Sequence, residues 1–194
     1  MKTTTFRKFL VVLPGTFLVY LLDACVMDYL PIFGVKGNLL IAFIAVVIVS
    51  GGKKAAFCVS ALVGILTETM LGAVEGLYII AYPILTMLWA QAFADRSDRQ
   101  REKREMLHPN KPQEELPALL RIFLAAVLMT ASMQIVLLVY VYLAGTEITM
   151  LHVTRAFFIV LLTGGLSVLI AFPVRMILGL YRRKKTLEEE GVHL

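Results

Sequence analysis

Residues 38–50 read NLLIAFIAVVIVS, residues 51–54 read GGKK, and residues 55–66 read AAFCVSALVGIL. Two apolar runs are joined by four residues, two of them lysines. The first run has no polar side chain from Leu39 to Val49. Such a run reads as part of a membrane-spanning helix. A gap this short allows only a tight reversal between antiparallel helices.

The same alternation extends in both directions. Of the 194 residues, 59% are hydrophobic and the mean hydropathy is +0.80, well above a soluble domain. Six spanning segments can be drawn: about Leu10 to Met27, Asn38 to Ser50, Ala55 to Leu71, Leu77 to Ala94, Pro117 to Ala144, and Thr154 to Tyr181. The second is short unless Ile32 and Phe33 also enter the membrane. The expected fold class is an all-α integral membrane protein with six transmembrane helices in one bundle. Residues 1–194 would form a single domain with a charged loop at about 95–116 and a basic tail at about 182–194.

The charges orient this bundle. Lys2, Arg7 and Lys8 precede the first segment, and Lys53 and Lys54 lie between the second and third. Seven basic residues lie between Arg96 and Arg121, and five between Arg175 and Lys185. Only Lys36 and Arg155 remain of the 19 for the other side. Short-loop Lys and Arg stay in the cytoplasm, so both termini are expected there. The net charge of +5 therefore sets topology and meets anionic membrane lipids; it is not a nucleic-acid footprint. Leu22-Asp23-Ala24-Cys25 fits a lipoprotein cleavage box poorly, and a retained signal-anchor helix is the better reading. Tyr29, Phe33, Tyr78, Tyr82, Tyr140, Tyr142 and Phe157 are expected near the outer interface, and Phe6, Trp89, Phe93 and Tyr181 near the inner one.

Between Asp95 and Glu105 the charges alternate in sign, with Asp95/Arg99 and Arg101/Glu105 four apart. That spacing supports an extension of the fourth helix into the cytoplasm, stopped at His108-Pro109. Glu114, Glu115 and Pro117 then signal the start of the fifth.

Few residues could carry chemistry. Asp23 and Glu68 are carboxylates within apolar runs, at the outer ends of the first and third segments, where cost is lower than at the bilayer centre. Glu68 is expected to order the outer end of its helix and the following loop without handling protons. Cys25 and Cys58 read as small buried hydrophobes, and His108, His152 and His193 have no metal-ligand spacing. Ser60, Gly64, Gly164, Gly165 and Ser167 allow close helix approach, within the bundle or toward a partner. No nucleotide-binding, zinc-protease or serine-hydrolase motif is present. No catalytic, metal or cofactor residue is therefore assigned, and the chain is not expected to be an enzyme.

One region is similar to a known family. Residues 33–40 read FGVKGNLL, the third segment ends in LVGILTE at residues 62–68, and the fourth opens EGLYIIAY at residues 75–82. This resembles the rod shape-determining protein MreD family, which has G-(I/V)-x-P-N-L-L, G-L-(I/L)-x-D and G-L-x-x-L-x-Y at these places. Gly37 stands where the family has proline, and Glu68 where it has aspartate. The matching positions are Asn38, Glu68, Gly76 and Tyr82. The resemblance implies a six-helix fold like that of transporter S-components. It also implies a non-enzymatic scaffold of the bacterial cell-elongation machinery, which supports peptidoglycan synthesis and cell shape. Implied partners are the single-span protein MreC, the actin-like MreB filament, and the RodA and class B penicillin-binding synthases. Asn38 would cap the second helix and Gly76 would free the turn before the fourth. The alternative is the substrate-binding S-component of an energy-coupling-factor vitamin transporter. Against it, the first helix holds only Ala24 where those proteins carry an Ala-x-x-x-Ala docking patch. A bare membrane anchor or sensor is the third possibility.

Overall fold

Among the residues it describes, a computed structural model gives six α-helices: α1 (Lys2–Cys25), α2 (Leu39–Gly51), α3 (Lys53–Leu71), α4 (Leu77–Phe93), α5 (Ala118–Leu143) and α6 (Met150–Ile177). A 3-10 turn at Met27–Tyr29 follows α1. The structure describes residues 2–29, 31, 34–71, 76–94 and 116–177, and no strand occurs among them. The helical extension after residue 94 and the basic tail expected from sequence lie outside the described residues. α5 and α6 are long and apolar enough to cross a membrane by length and composition. α2, α4 and the Val12–Cys25 part of α1 are shorter apolar helices.

The helix that opened the sequence reading lies at the centre. Every residue from Leu39 to Val49 is buried, and α2 touches each of the other five helices. An all-apolar helix has no preferred face, so surrounding it on every side buries the most surface. α2 has 13 residues, about 20 Å, whereas α6 has 28, about 42 Å. The centre of the bundle is therefore shorter than its outer helices.

Helix ends follow local chemistry. Gly51 and Gly52 make the reversal into α3, Gly52 with φ +81°. α6 begins four residues before its expected start. There Thr149 donates its backbone N–H to His152 Nδ1 (3.2 Å), and its hydroxyl lies 2.8 Å from the same nitrogen. The pair acts as a capping box, with histidine where Glu or Gln is usual.

Small residues set the helix spacing. A Cβ on Gly64 would lie 2.8 Å from the Tyr78 carbonyl oxygen and 3.1 Å from Ile79 Cα, so α3 and α4 meet backbone to backbone. A Cβ on Gly164 would lie 2.9 Å from both Phe123 and Val127 of α5. Ser60 is buried and donates to Phe57 O within its own helix. Ser167 likewise donates to Gly164 O. These four residues pack inside the bundle. Only Gly165 stands on an exposed face, with no atom within 4 Å of its Cβ position.

Other placements differ from expectation. Trp89 donates its Nε1–H to Ser132 Oγ (3.1 Å), tying α4 to α5. Tyr82 is buried. Cys25 and Cys58 are exposed; a thiol is apolar enough to sit on either side of a lipid-compatible helix.

Candidate functional site

Asn38 is the hub of a polar knot that joins four helices. It is the N-cap of α2, with φ −94° and ψ 99°. Its side-chain Oδ1 accepts the Ile41 backbone N–H at 2.9 Å, one of the donors that a helix start leaves without an intrahelical acceptor. Its Nδ2 donates to the Tyr82 hydroxyl of α4 at 3.3 Å. Its own backbone N–H donates to Thr163 Oγ1 of α6 at 3.0 Å.

Asp23 completes the start of α2. Its Oδ1 accepts the Leu39 N–H at 3.0 Å, and its Oδ2 lies 3.8 Å from Lys36 Nζ. A carboxylate from α1 thus sits at the positive end of the α2 dipole. The extended strip before Asn38 is pressed against α6: a Cβ on Gly37 would lie 2.7 Å from Leu166 Cδ1 and 3.4 Å from Leu162 Cβ. Gly37 therefore lies at a point of close approach.

Glu68 performs the parallel task for α4. Its Oε1 accepts the Gly76 N–H at 2.7 Å and its Oε2 the Tyr78 N–H at 3.1 Å. Gly76, the N-cap of α4, has φ +83° and makes no side-chain cap. The cap is supplied from α3, by an anion whose two oxygens each take one backbone donor. The Tyr78 ring stacks on Tyr82 with centroids 6.0 Å apart, so the Glu68 cap and the Asn38 hub share one wall. The Thr67 hydroxyl is buried beside the Tyr82 phenol.

The site brings together Asp23, Asn38, Glu68, Gly76 and Tyr82 from the sequence reading. Ser60, Gly64 and Gly164 lie apart from it as packing residues. Sequence reasoning missed Thr163, whose signal was a lone hydroxyl within the apolar run before Gly164-Gly165, and the pairing of Lys36 with Asp23. Chemically, both carboxylates accept backbone N–H groups, and this organises helix starts. No cluster of three or more His, Cys, Asp or Glu suited to a metal occurs among the described residues.

This geometry sharpens the expectation for Glu68. Glu68→Gln presents one acceptor and one donor to two N–H groups, and should cost about 1–2 kcal/mol. Glu68→Leu removes both acceptors and should cost about 3 kcal/mol. Thermal unfolding in detergent, with hydrogen exchange at Tyr78, measures both. Equal stability of Gln and wild type would mean that the carboxylate charge is not needed for the cap.

Comparison of the chain with protein-family models, with curated proteins and with solved structures finds no match.

Proposed function

We propose that the protein is a non-enzymatic membrane scaffold of the MreD kind, acting in bacterial cell elongation through lateral association with a single-span MreC-like partner. The observation that carries this reading is the convergence of its family-like positions. Asn38, Glu68, Gly76 and Tyr82 lie in three separate stretches of sequence, and they fall in two hydrogen-bonded groups at helix starts, Asn38 with Tyr82 and Glu68 with Gly76, which meet through the stacked rings of Tyr78 and Tyr82. A motif whose residues hold helices in place suits a protein whose product is its own shape. Through the partner, the scaffold would reach an MreB-like filament and the RodA and class B penicillin-binding synthases.

In this reading the bundle crosses the membrane six times with both termini in the cytoplasm. The 17 basic residues on one side support it. If the Lys53-Lys54 reversal is taken as the inner boundary, an α2 of about 20 Å would put Asn38 about 10 Å inside the outer edge of a hydrocarbon core of about 30 Å. Irregular backbone at that depth is tolerated only when enclosed by protein. Val35 and Gly37 are indeed buried, and the Asp23–Lys36 pair neutralises charge there.

Helices do not associate in lipid through the hydrophobic effect; small residues and close packing supply the contact. Gly165 is the exposed small residue of α6, flanked by exposed Leu161 and Leu169. Gly165→Leu should reduce co-purification of the MreC-like partner several-fold while leaving thermal stability intact, and a reporter fused after Arg183 should remain cytoplasmic. Gly164→Leu should instead break the α5–α6 packing. If the purified protein captures no elongation component and retains a vitamin at stoichiometric level, the scaffold reading gives way to the S-component.

A further inference from the structure

Burial stops at a sharp line along α5 and α6. The buried residues of α5 are Ile122, Ala125, Ala126, Met129, Thr130 and Met133. Those of α6, among the described residues, are Thr163, Gly164, Ser167 and Ala171. Between the two sets, from Gln134 to Leu162, no residue is buried. This run takes in the second part of α5, the turn and the first part of α6. A hydrogen bond to the rest of the bundle stands at each edge of it. On one side Trp89 donates its Nε1–H to Ser132 Oγ at 3.1 Å. On the other the Asn38 backbone N–H donates to Thr163 Oγ1 at 3.0 Å. Segments with few buried contacts are the first to open in a folded protein.

Both bases of the run carry residues that bend helices. Gly164 and Gly165 are adjacent inside α6, and only proline has a lower helix propensity than glycine. The Ser167 hydroxyl donates to the Gly164 carbonyl at 2.6 Å. Glycine and serine together are among the few causes of sharp helix kinks. On α5, Thr130 and Ser132 donate to Ala126 O and Leu128 O, each at 2.7 Å, and such back-bonding also bends helices. Thr163 opposes this flexibility. It adjoins the two glycines, is fully buried, and holds the Asn38 N–H. Beside it Leu162 lies against Gly37, with 3.4 Å between their Cβ positions.

We propose that residues 134–162 form a hinged arm, with Gly164-Gly165 as its pivot and the Asn38–Thr163 hydrogen bond as its latch. A kink of about 20° at the pivot, over an α6 limb of about 20 Å, moves Met150 by about 7 Å. The buried core residues all lie outside the arm, so the core stays packed while the arm turns. The latch closes on the start of α2, so the position of the arm is tied to the same cap that orders the central helix. The device arises from packing within the chain and holds whichever partner the bundle takes.

The test measures distances by double electron–electron resonance on the full chain in detergent. In a Cys25→Ser, Cys58→Ser background, spin labels are attached at Met150→Cys on the arm and Ile80→Cys on the core, both exposed positions. Wild-type protein should give one dominant distance. Thr163→Val keeps the shape of the side chain and removes the acceptor. It should add a second distance, displaced by about 7 Å, and raise its share about tenfold. Thr163→Ser keeps the hydroxyl and should behave as wild type. Gly165→Ala, added to Thr163→Val, stiffens the pivot and should reduce the displaced share again. A control pair outside the arm, Leu13→Cys with Ile84→Cys, should be unchanged in every variant. Superimposable distributions in wild-type and Thr163→Val proteins overturn the latch. Equal broadening at the control pair means that the whole bundle loosens, and overturns the arm.

Discussion

Asn38→Leu should destabilise the bundle by about 3 kcal/mol. The loss has two parts. Removing Oδ1 leaves the Ile41 N–H without its cap, at about 1 kcal/mol. Removing Nδ2 strands the hydroxyl of Tyr82, which is fully buried, at about 1–3 kcal/mol. Asn38→Ser keeps the cap and loses only the tyrosine, so it should recover about 1 kcal/mol. Tyr82→Phe removes the other half of the pair. The double variant should then be less destabilised than the sum of the singles, because both disrupt one contact. Reversible unfolding in mixed detergent measures all four proteins. Strict additivity would show that Asn38 and Tyr82 do not depend on each other.

Gly64→Ala should be nearly as damaging, by about 2–3 kcal/mol. The new methyl would lie 2.8 Å from the Tyr78 carbonyl oxygen and 3.1 Å from Ile79 Cα. Neither is the flexible end of a side chain, so relief requires α3 and α4 to separate. Separation also draws the Tyr78 N–H away from Glu68, which couples the substitution to the polar knot. Gly165→Ala is the control. Its added methyl meets nothing within 4 Å, and loss of a helical glycine should stabilise by about 0.5–1 kcal/mol. Gly164→Ala falls between them, because Phe123 and Val127 approach it with side chains that can shift. A Gly64→Ala protein as stable as Gly165→Ala would contradict the close α3–α4 approach.

Glycine content alone could not rank these three positions. In sequence Gly64, Gly164 and Gly165 are each a small residue in an apolar helix, and helical spacing allows any of them to face inward or outward. A soluble helix reveals its inner face by placing polar residues on the other side. In an apolar chain that contrast is missing, and of the neighbours Gly164 and Gly165 the first is buried and the second exposed. The polar residues carried the opposite signal. Asp23 and Glu68 stood out because charge is costly among apolar neighbours, yet their partners could not be read from sequence. The Asp23 contact is 16 residues away and the Asn38–Thr163 contact 125.

The sequence by itself determined the six helices and their approximate limits, because helix formation, turns and caps are local events. The Gly-Gly-Lys-Lys reversal, the Asn38 cap and the left-handed turn at Gly76 each depend on a few adjacent residues. Only the tertiary structure decided that α2 is the central helix, that Trp89 and Tyr82 are held by hydrogen bonds, and that Asp23 and Glu68 cap helices other than their own. The physical reason is range. A backbone N–H at a helix start must find an acceptor somewhere, and the chain specifies that need locally. Which distant carboxylate or hydroxyl meets it depends on how five apolar helices pack around a sixth.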